Sequence, residues 1–340
     1  MTAPRPRPTL LLRVGHGGAR VRDLQQRLQG LGHAIPSSER GTFGSATEEA
    51  VRAFQTERRI RVDGLCGRET WARLVEAGYQ LGDRTLYQRV PMLRGDDVVA
   101  LQHRLNGLGF DAGREDGIFG PDAAAAVTEF QHNAGLTADG ICGAVTLEAI
   151  GRVDRLASGS IASLREREAL RHSSPDLHGR RVFFAVAPGF EPLADLVARG
   201  LDGHGAHTLV DRSGADESLL AAHANSFGAD LFVLLRYGSV EGFHCAYFQS
   251  RTYRSEAGFH YATVIQSELS RAGIIDRAWE PEGMSYPALR ETRMAAVVCE
   301  PTTLDDTAGL ARLFERSGAV ANALVAALGR GAGDPSSTGS

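Results

Sequence analysis

Val21-Arg-Asp-Leu-Gln-Gln-Arg-Leu-Gln-Gly-Leu-Gly32 is met again 77 residues later as Val98-Val-Ala-Leu-Gln-His-Arg-Leu-Asn-Gly-Leu-Gly109. In each copy four apolar residues (Val21, Leu24, Leu28, Leu31; Val98, Leu101, Leu105, Leu108) fall on one face of a 3.6-residue helix. The closing glycine predicts a helix stop, because glycine reaches left-handed backbone at little cost. The correspondence continues at an offset of 76. Phe43-Gly44, Ala50-Val51, Phe54-Gln55, Asp63-Gly64, Cys66-Gly67 and Thr70 return as Phe119-Gly120, Ala126-Val127, Phe130-Gln131, Asp139-Gly140, Cys142-Gly143 and Thr146. A second helix is expected from near Gly44 or Pro121, where a first-turn proline sacrifices no hydrogen bond. Asp-Gly marks a turn, and a third helix is expected from near Thr70 or Thr146. Each copy therefore reads as a small three-helix unit, over residues 12–78 and 89–150.

The string Val-x-x-Leu-Gln-x-x-Leu, Phe-Gly, Ala-Val-x-x-Phe-Gln and Asp-Gly-x-x-Gly-x-x-Thr resembles the peptidoglycan-binding type 1 domain in both copies. The resemblance implies either a muropeptide ligand or, since most matched residues are core and turn positions, a protein-interaction module or spacer. Arg13, His16, Arg20, Arg94 and Asp96, by the entries to the two first helices, are the candidate contacts for either role. Ordinary solvated surface is the alternative reading for each.

The chain has 340 residues, 43% hydrophobic and 23% charged, enough for two or three domains. A formal charge of -4 supplies no general attraction to nucleic acid, and no nucleic-acid-reading motif is present. Pro4, Pro6 and Pro8 alternate with arginines before only Leu10, Leu11 and Leu12, which argues against a secretory signal. No run approaches 18 apolar residues, so no membrane span is expected, and the address expected is cytoplasmic. Cys66, Cys142, Cys245 and Cys299 have neither Cys-x-x-Cys nor zinc-finger spacing and read as buried free thiols.

Residues 151–179, with Arg165-Glu-Arg-Glu168 and Ser173-Ser-Pro175, read as a linker carrying a short helix. From 180 to 329 strands alternate with helices. Strands are expected at 182–186, 208–210, 231–235 and 295–299 and an extended aromatic stretch at 240–248, with helices at 191–202, 216–227, 255–271 and one long helix over 307–328. This predicts an α/β domain with a mostly parallel sheet covered on both sides. Residues 330–340 read as a tail.

The α/β portion resembles the catalytic domain of type 3 zinc-dependent N-acetylmuramoyl-L-alanine amidases. Leu81-Gly-Asp-Arg-Thr-Leu-Tyr87, Gly95-Asp-Asp-Val98, Thr292-Arg-Met294 and Ala224-Asn225 before Gly228-Ala-Asp230, behind two repeats, are similar to the actinobacterial CwlM group. An amidase of this class implies a zinc held by two imidazoles and a carboxylate, with a separate glutamate to move the proton. Where Asp-Pro-Gly-His would end the first strand, this chain has Ala187-Pro-Gly-Phe190, so Phe190 stands at the first ligand position. Glu191 follows at once and is not matched to the second ligand. Leu234-Leu-Arg-Tyr237 puts Arg236, which has no free lone pair, where the other imidazole belongs. Glu300 matches the catalytic acid, although Thr302 replaces a glycine two positions on. Arg236 and Glu300 either pair across the old cleft or serve separate surface roles. The remaining histidines, His204, His207, His223, His244 and His260, show no metal-ligand spacing.

A noncatalytic protein without a cofactor is therefore expected, with a wall-fragment sensor and an amidase of unusual chemistry as alternatives. The CwlM resemblance implies a cytoplasmic regulator or scaffold of peptidoglycan precursor synthesis. It points to the UDP-N-acetylglucosamine enolpyruvyl transferase as partner and a serine/threonine kinase as modifier. Ser336, Ser337 and Thr338 are the phosphate acceptors it would suggest, against an ordinary frayed terminus.

Overall fold

A computed structural model describes residues 11–154 and 177–330. Most of the expected linker helix and the tail with Ser336, Ser337 and Thr338 lie outside the described residues. The chain divides into two compact units, 1–162 and 163–340.

In the first unit each repeat is three helices: Ala19–Gly30, Ser45–Glu57 and Arg68–Ala77, then Asp96–Gly107, Pro121–Asn133 and Ala144–Asp154. Both third helices begin two residues before the expected threonine. Val21, Leu24, Leu28, Phe43, Val51 and Phe54 are fully buried in the first core, and Val98, Leu101, Leu105, Phe119 and Val127 in the second. Each such side chain contributes about 1.5–3 kcal/mol by leaving water. Gly32 and Gly109 take φ of 93° and 94° at the helix ends, as the sequence requires.

The repeated polar residues turn inward. Gln55 Nε2 donates to Asp63 Oδ1 (2.8 Å), the Leu65 carbonyl (3.0 Å) and Thr70 Oγ1 (3.1 Å), and its Oε1 accepts from the Asp63 and Gly64 amides. Gln131 makes the same five bonds with Asp139, Gly140, Ile141 and Thr146. A buried amide thus organises each Asp-Gly turn, which is why Gln, Asp, Gly and Thr recur together.

The second unit is a six-stranded sheet: β1 Arg181–Val186, β2 His207–Asp211, β3 Leu231–Leu235, β4 His244–Phe248, β5 Glu282–Met284 and β6 Ala295–Glu300. The order is β2-β1-β3-β6-β4-β5. The first four run parallel, and β4 and β5, parallel to each other, run against them. β3 is buried throughout, as expected of a central strand. The helices Glu191–Gly203, Glu256–Arg271 and Ser317–Leu328 pack together, and the core around them joins Phe184, Val233 and Val297 to Leu324. Gly200 permits the close crossing, since a Cβ there would lie 2.6 Å from Val325 Cγ2.

Two expectations are corrected. The stretch 240–248 is a strand only from His244, because Gly238 to Phe243 forms a loop and Gly242 takes φ of 95°. Residues 307–328 are two helices, Thr307–Glu315 and Ser317–Leu328. Arg316 leaves the helical path and donates to the Gly273 carbonyl and, at 3.0 Å, to the Ala272 carbonyl, closing the end of the Glu256–Arg271 helix. β5 and the short Pro287–Arg290 helix were not expected at all.

Candidate functional site

The ends of β1, β3 and β6 lie side by side, because Val186 is in register with Leu235 and Leu235 with Cys299. This register brings Phe190 and Arg236, which follow β1 and β3, and Glu300, which ends β6, toward one edge of the sheet. Phe190 is fully buried against Tyr237, ring centroids 4.6 Å apart. Gly189 (φ 101°) has room only for hydrogen, as a Cβ would sit 2.6 Å from Tyr237 Oη. Glu191 turns back on its own loop, one carboxylate oxygen accepting from the Gly189 amide at 2.8 Å.

Arg236 and Glu300 are brought together. Arg236 Nε donates to Glu300 Oε1 at 2.9 Å, and Nη2 lies 2.8 Å from the same oxygen. On its other side Nη1 bonds Glu217, whose second oxygen accepts from the Ala288 amide at 3.2 Å. The guanidinium lies over the Tyr286 ring at 4.2 Å. Burial works against the Arg236 charge, but Glu217 and then Glu300 outweigh it and raise the pKa above the usual guanidinium value. Thr302, which replaces the family's glycine, donates to Asp306 at 2.7 Å, and Asp306 caps the Thr307–Glu315 helix.

Glu217 and Tyr286 were missed in the sequence. Glu217 opens the helix Glu217–Phe227 behind the cap residue Asp216 and reads as an ordinary first-turn acid. Tyr286 precedes the unexpected short helix. An arginine at a strand end facing a cleft was the available signal that one acid would not balance it.

Zinc does not fit these residues. Phe190 offers no donor atom, Arg236 is cationic, and Glu300 is engaged by Arg236. Among the described residues no group of three or more His, Cys, Asp or Glu is placed to hold a metal ion. His204 and His244 bond the carbonyls of Gly200 (2.8 Å) and Glu241 (3.0 Å). His223 bonds Asp211 at 2.9 Å, and His260, its pKa lowered by burial, meets the Arg330 carbonyl at 3.4 Å. His207 lies exposed on the edge strand β2. All four cysteines are buried and free. Burial pushes Cys66 and Cys142 up to about 12, so neither is an activated thiol. Cys245 and Cys299 face each other across β4 and β6, with their sulfurs 3.8 Å apart.

In the first unit Arg13 and Arg20 are exposed, while His16 and Arg94 are partly covered. Asp96 is not open surface: Arg58 of the other repeat donates to its carboxylate at 2.8 Å. Its neighbour Asp97, almost fully buried, takes two bonds from Arg84, at 2.7 Å and 3.0 Å. Arg84 also donates to the Arg94 carbonyl and stacks on Tyr79 at 3.6 Å. No described helix is long and apolar enough to cross a membrane.

The family model for the peptidoglycan binding domain matches residues 17–74 and 94–150. The N-acetylmuramoyl-L-alanine amidase CwlM of Mycobacterium tuberculosis is 34% identical over 342 residues, covering 87% of this chain and 83% of that protein. The N-acetylmuramoyl-L-alanine amidase CwlL of Bacillus licheniformis is 34% identical over 157 residues, 40% of this chain and 44% of its own. Among solved structures, the amidase Ami1 of Mycobacterium smegmatis aligns with 45% of this chain and 96% of its own at 15% identity and a TM-score of 0.39. With two peptidoglycan-binding domains ahead of an amidase-like domain, the chain belongs to the CwlM family.

Proposed function

We propose that this protein is a noncatalytic regulator or scaffold of peptidoglycan precursor synthesis that acts in the cytoplasm by binding a precursor-synthesis enzyme. The UDP-N-acetylglucosamine enolpyruvyl transferase is the first candidate. The observation that carries the reading is the Glu217–Arg236–Glu300 arrangement. In the amidase resemblance Glu300 is the proton-moving acid, and here both its neighbours and its charge are committed to an arginine. Both Arg236 contacts fall on Glu300 Oε1, so the charge of this acid is matched by a guanidinium rather than by a metal. A domain that keeps its fold while Glu300 is paired to Arg236 is suited to present surface rather than to cleave.

The test is to add the purified chain to the purified transferase and measure both binding and the rate of enolpyruvyl transfer. Stoichiometric binding with a changed rate is expected. Absence of binding, with and without kinase treatment of the chain, would remove the transferase as partner. Retention of soluble muropeptide in the same experiment would favour a wall-fragment sensor.

A further inference from the structure

The two repeats share a fold but not a charge. Residues 12–78 hold eleven arginines and eight acids, whereas residues 89–150 hold four arginines and nine acids. The inversion is sharpest where the first helix begins. Gly41 and Gly117 occupy the same place: the Gly41 amide donates to Gln25 Oε1 at 2.8 Å and the Gly117 amide to Gln102 Oε1 at 2.9 Å. Arg40 in repeat 1 therefore corresponds to Asp116 in repeat 2, and Arg20 to Asp97.

Since repeat 2 folds with acids at these sites, the fold does not require arginines there. We propose that the helix entry of repeat 1, carrying Arg13, Arg20, Arg22 and Arg40, is a docking surface for a carboxylate-rich, partly apolar segment of a protein partner. The inference rests on the reading that the chain acts by binding a protein, and it names the chemistry of the contact. All four arginines are exposed, and none has a carboxylate partner among the described residues. The nearby acids are already committed. Asp23 holds Arg27 at 3.0 Å, and Glu39 accepts from the Ala46 and Thr47 amides and Thr47 Oγ1, each at 3.0 Å.

The arginines stand on ordered backbone. The Gly18 amide donates to the Gly41 carbonyl (2.9 Å), the Phe43 amide to His16 (2.8 Å) and the Gly15 amide to Phe43 (3.0 Å), tying the segment of Arg13 and Arg20 to that of Arg40. Arg22 is drawn in as well, its Cγ lying 3.2 Å from where a Gly41 Cβ would be. Leu11 and Val14 flank Arg13 with 39% and 55% of their surface exposed, which suits a polypeptide with apolar anchors rather than a bare phosphate. Guanidinium forks match carboxylates two bonds at a time. Among the described residues of repeat 1 the one tryptophan, Trp71, is partly buried beneath Arg27 and so offers no open platform for unpaired bases.

The experiment uses the full chain and a fluorescein-labelled peptide of repeated Glu-Glu-Leu, read by fluorescence anisotropy. One variant carries Arg13→Gln, Arg20→Gln, Arg22→Gln and Arg40→Gln. A control with Arg152→Glu and Arg199→Glu changes the net charge by the same four units at exposed sites elsewhere. Wild type and control should bind alike, the four-glutamine variant about tenfold or more weakly, and wild-type binding should fall steeply at about 1 M salt, where screening acts within about 3 Å. Equal affinity of all three proteins, or no binding by wild type, would overturn the proposal. So would variant-sensitive binding found only with phosphatidylglycerol vesicles. Assaying the same proteins against the transferase separates the two ideas. Loss of wild-type binding there removes the partner reading alone, while undiminished binding by the four-glutamine variant removes this surface as that partner's site.

Discussion

Replacing Arg236 by methionine should destabilise the α/β unit by about 2–3 kcal/mol. Removing one member of a buried ion pair costs about 3–5 kcal/mol, because the remaining charge is left without compensation. The Glu217 and Glu300 side chains are 22% and 15% exposed, so water relieves part of that penalty and brings it to about 2–3 kcal/mol, at and just below the bottom of that range. Loss of the cation over Tyr286 adds about 1 kcal/mol, which a thioether against the same ring largely returns. The protein has two tryptophans, Trp71 in the first repeat and Trp279 in the α/β unit. In a Trp71→Phe background, Trp279 fluorescence therefore follows urea unfolding of this unit alone. At about 2 kcal/mol per molar of urea, the midpoint should drop by about 1–1.5 M. Adding Glu217→Gln and Glu300→Gln should return the midpoint to within about 0.5 M of the parent, because three neutral side chains leave no uncompensated charge. A loss below about 0.5 kcal/mol, or further destabilisation by the two glutamines, would refute the view that Arg236 is held by opposed charges.

Introducing Phe190→His with Arg236→His should not produce zinc-dependent cleavage of a muramyl peptide, since the new imidazole at 190 points into the apolar core and Glu191 is held by Gly189; product detected by mass spectrometry would contradict this. Gln131→Leu should cost about 3 kcal/mol by stranding the Asp139 and Gly140 amides, seen as faster hydrogen exchange of the 137–146 turn than in wild type. Burial raises the Asp116 pKa from 3.8 to about 6, against the bonds from Gln102 and Ile118 and the charges of Arg114 and Arg94. The folded state then holds this proton more tightly than the unfolded chain, so the contribution to stability falls as pH rises from about 4 through 6. Asp116→Asn, whose Oδ1 accepts the same two bonds, should slow exchange at the Gly117 and Ile118 amides at pH 7 and change little at pH 4; equal slowing at both would exclude a charge effect.

The repeats were legible because a small helical core demands the same residues each time: Leu24, Phe54 and Gln55 have no substitutes with the same volume and bonds. The places of Phe190 and Arg236 just past β1 and β3 were legible for a different reason, since strand ends are easy to locate in a sequence. What stayed hidden came from residues distant in sequence. Glu217 and Tyr286 reach Arg236 from 19 positions before it and 50 after, and no periodicity links them. Asp96 was read as open because nothing local revealed Arg58, 38 residues away in the other repeat. β5 is three residues long and too short to show alternation, and Arg316 broke an otherwise continuous helical pattern to satisfy carbonyls of another helix.

The ion pairs joining the repeats have a consequence for how a long partner would be held. Arg58 spans the repeats to Asp96, while Arg84, in the segment between them, is fastened to the nearly inaccessible Asp97. The two modules are thereby presented at a set separation, as marks on a ruler rather than beads on a string. A ligand spanning both would gain avidity only if its own epitopes matched that spacing, and lengthening a flexible ligand could not make up for a mismatch without an entropic penalty. The tandem arrangement can therefore discriminate by distance, a form of selectivity that neither repeat possesses alone.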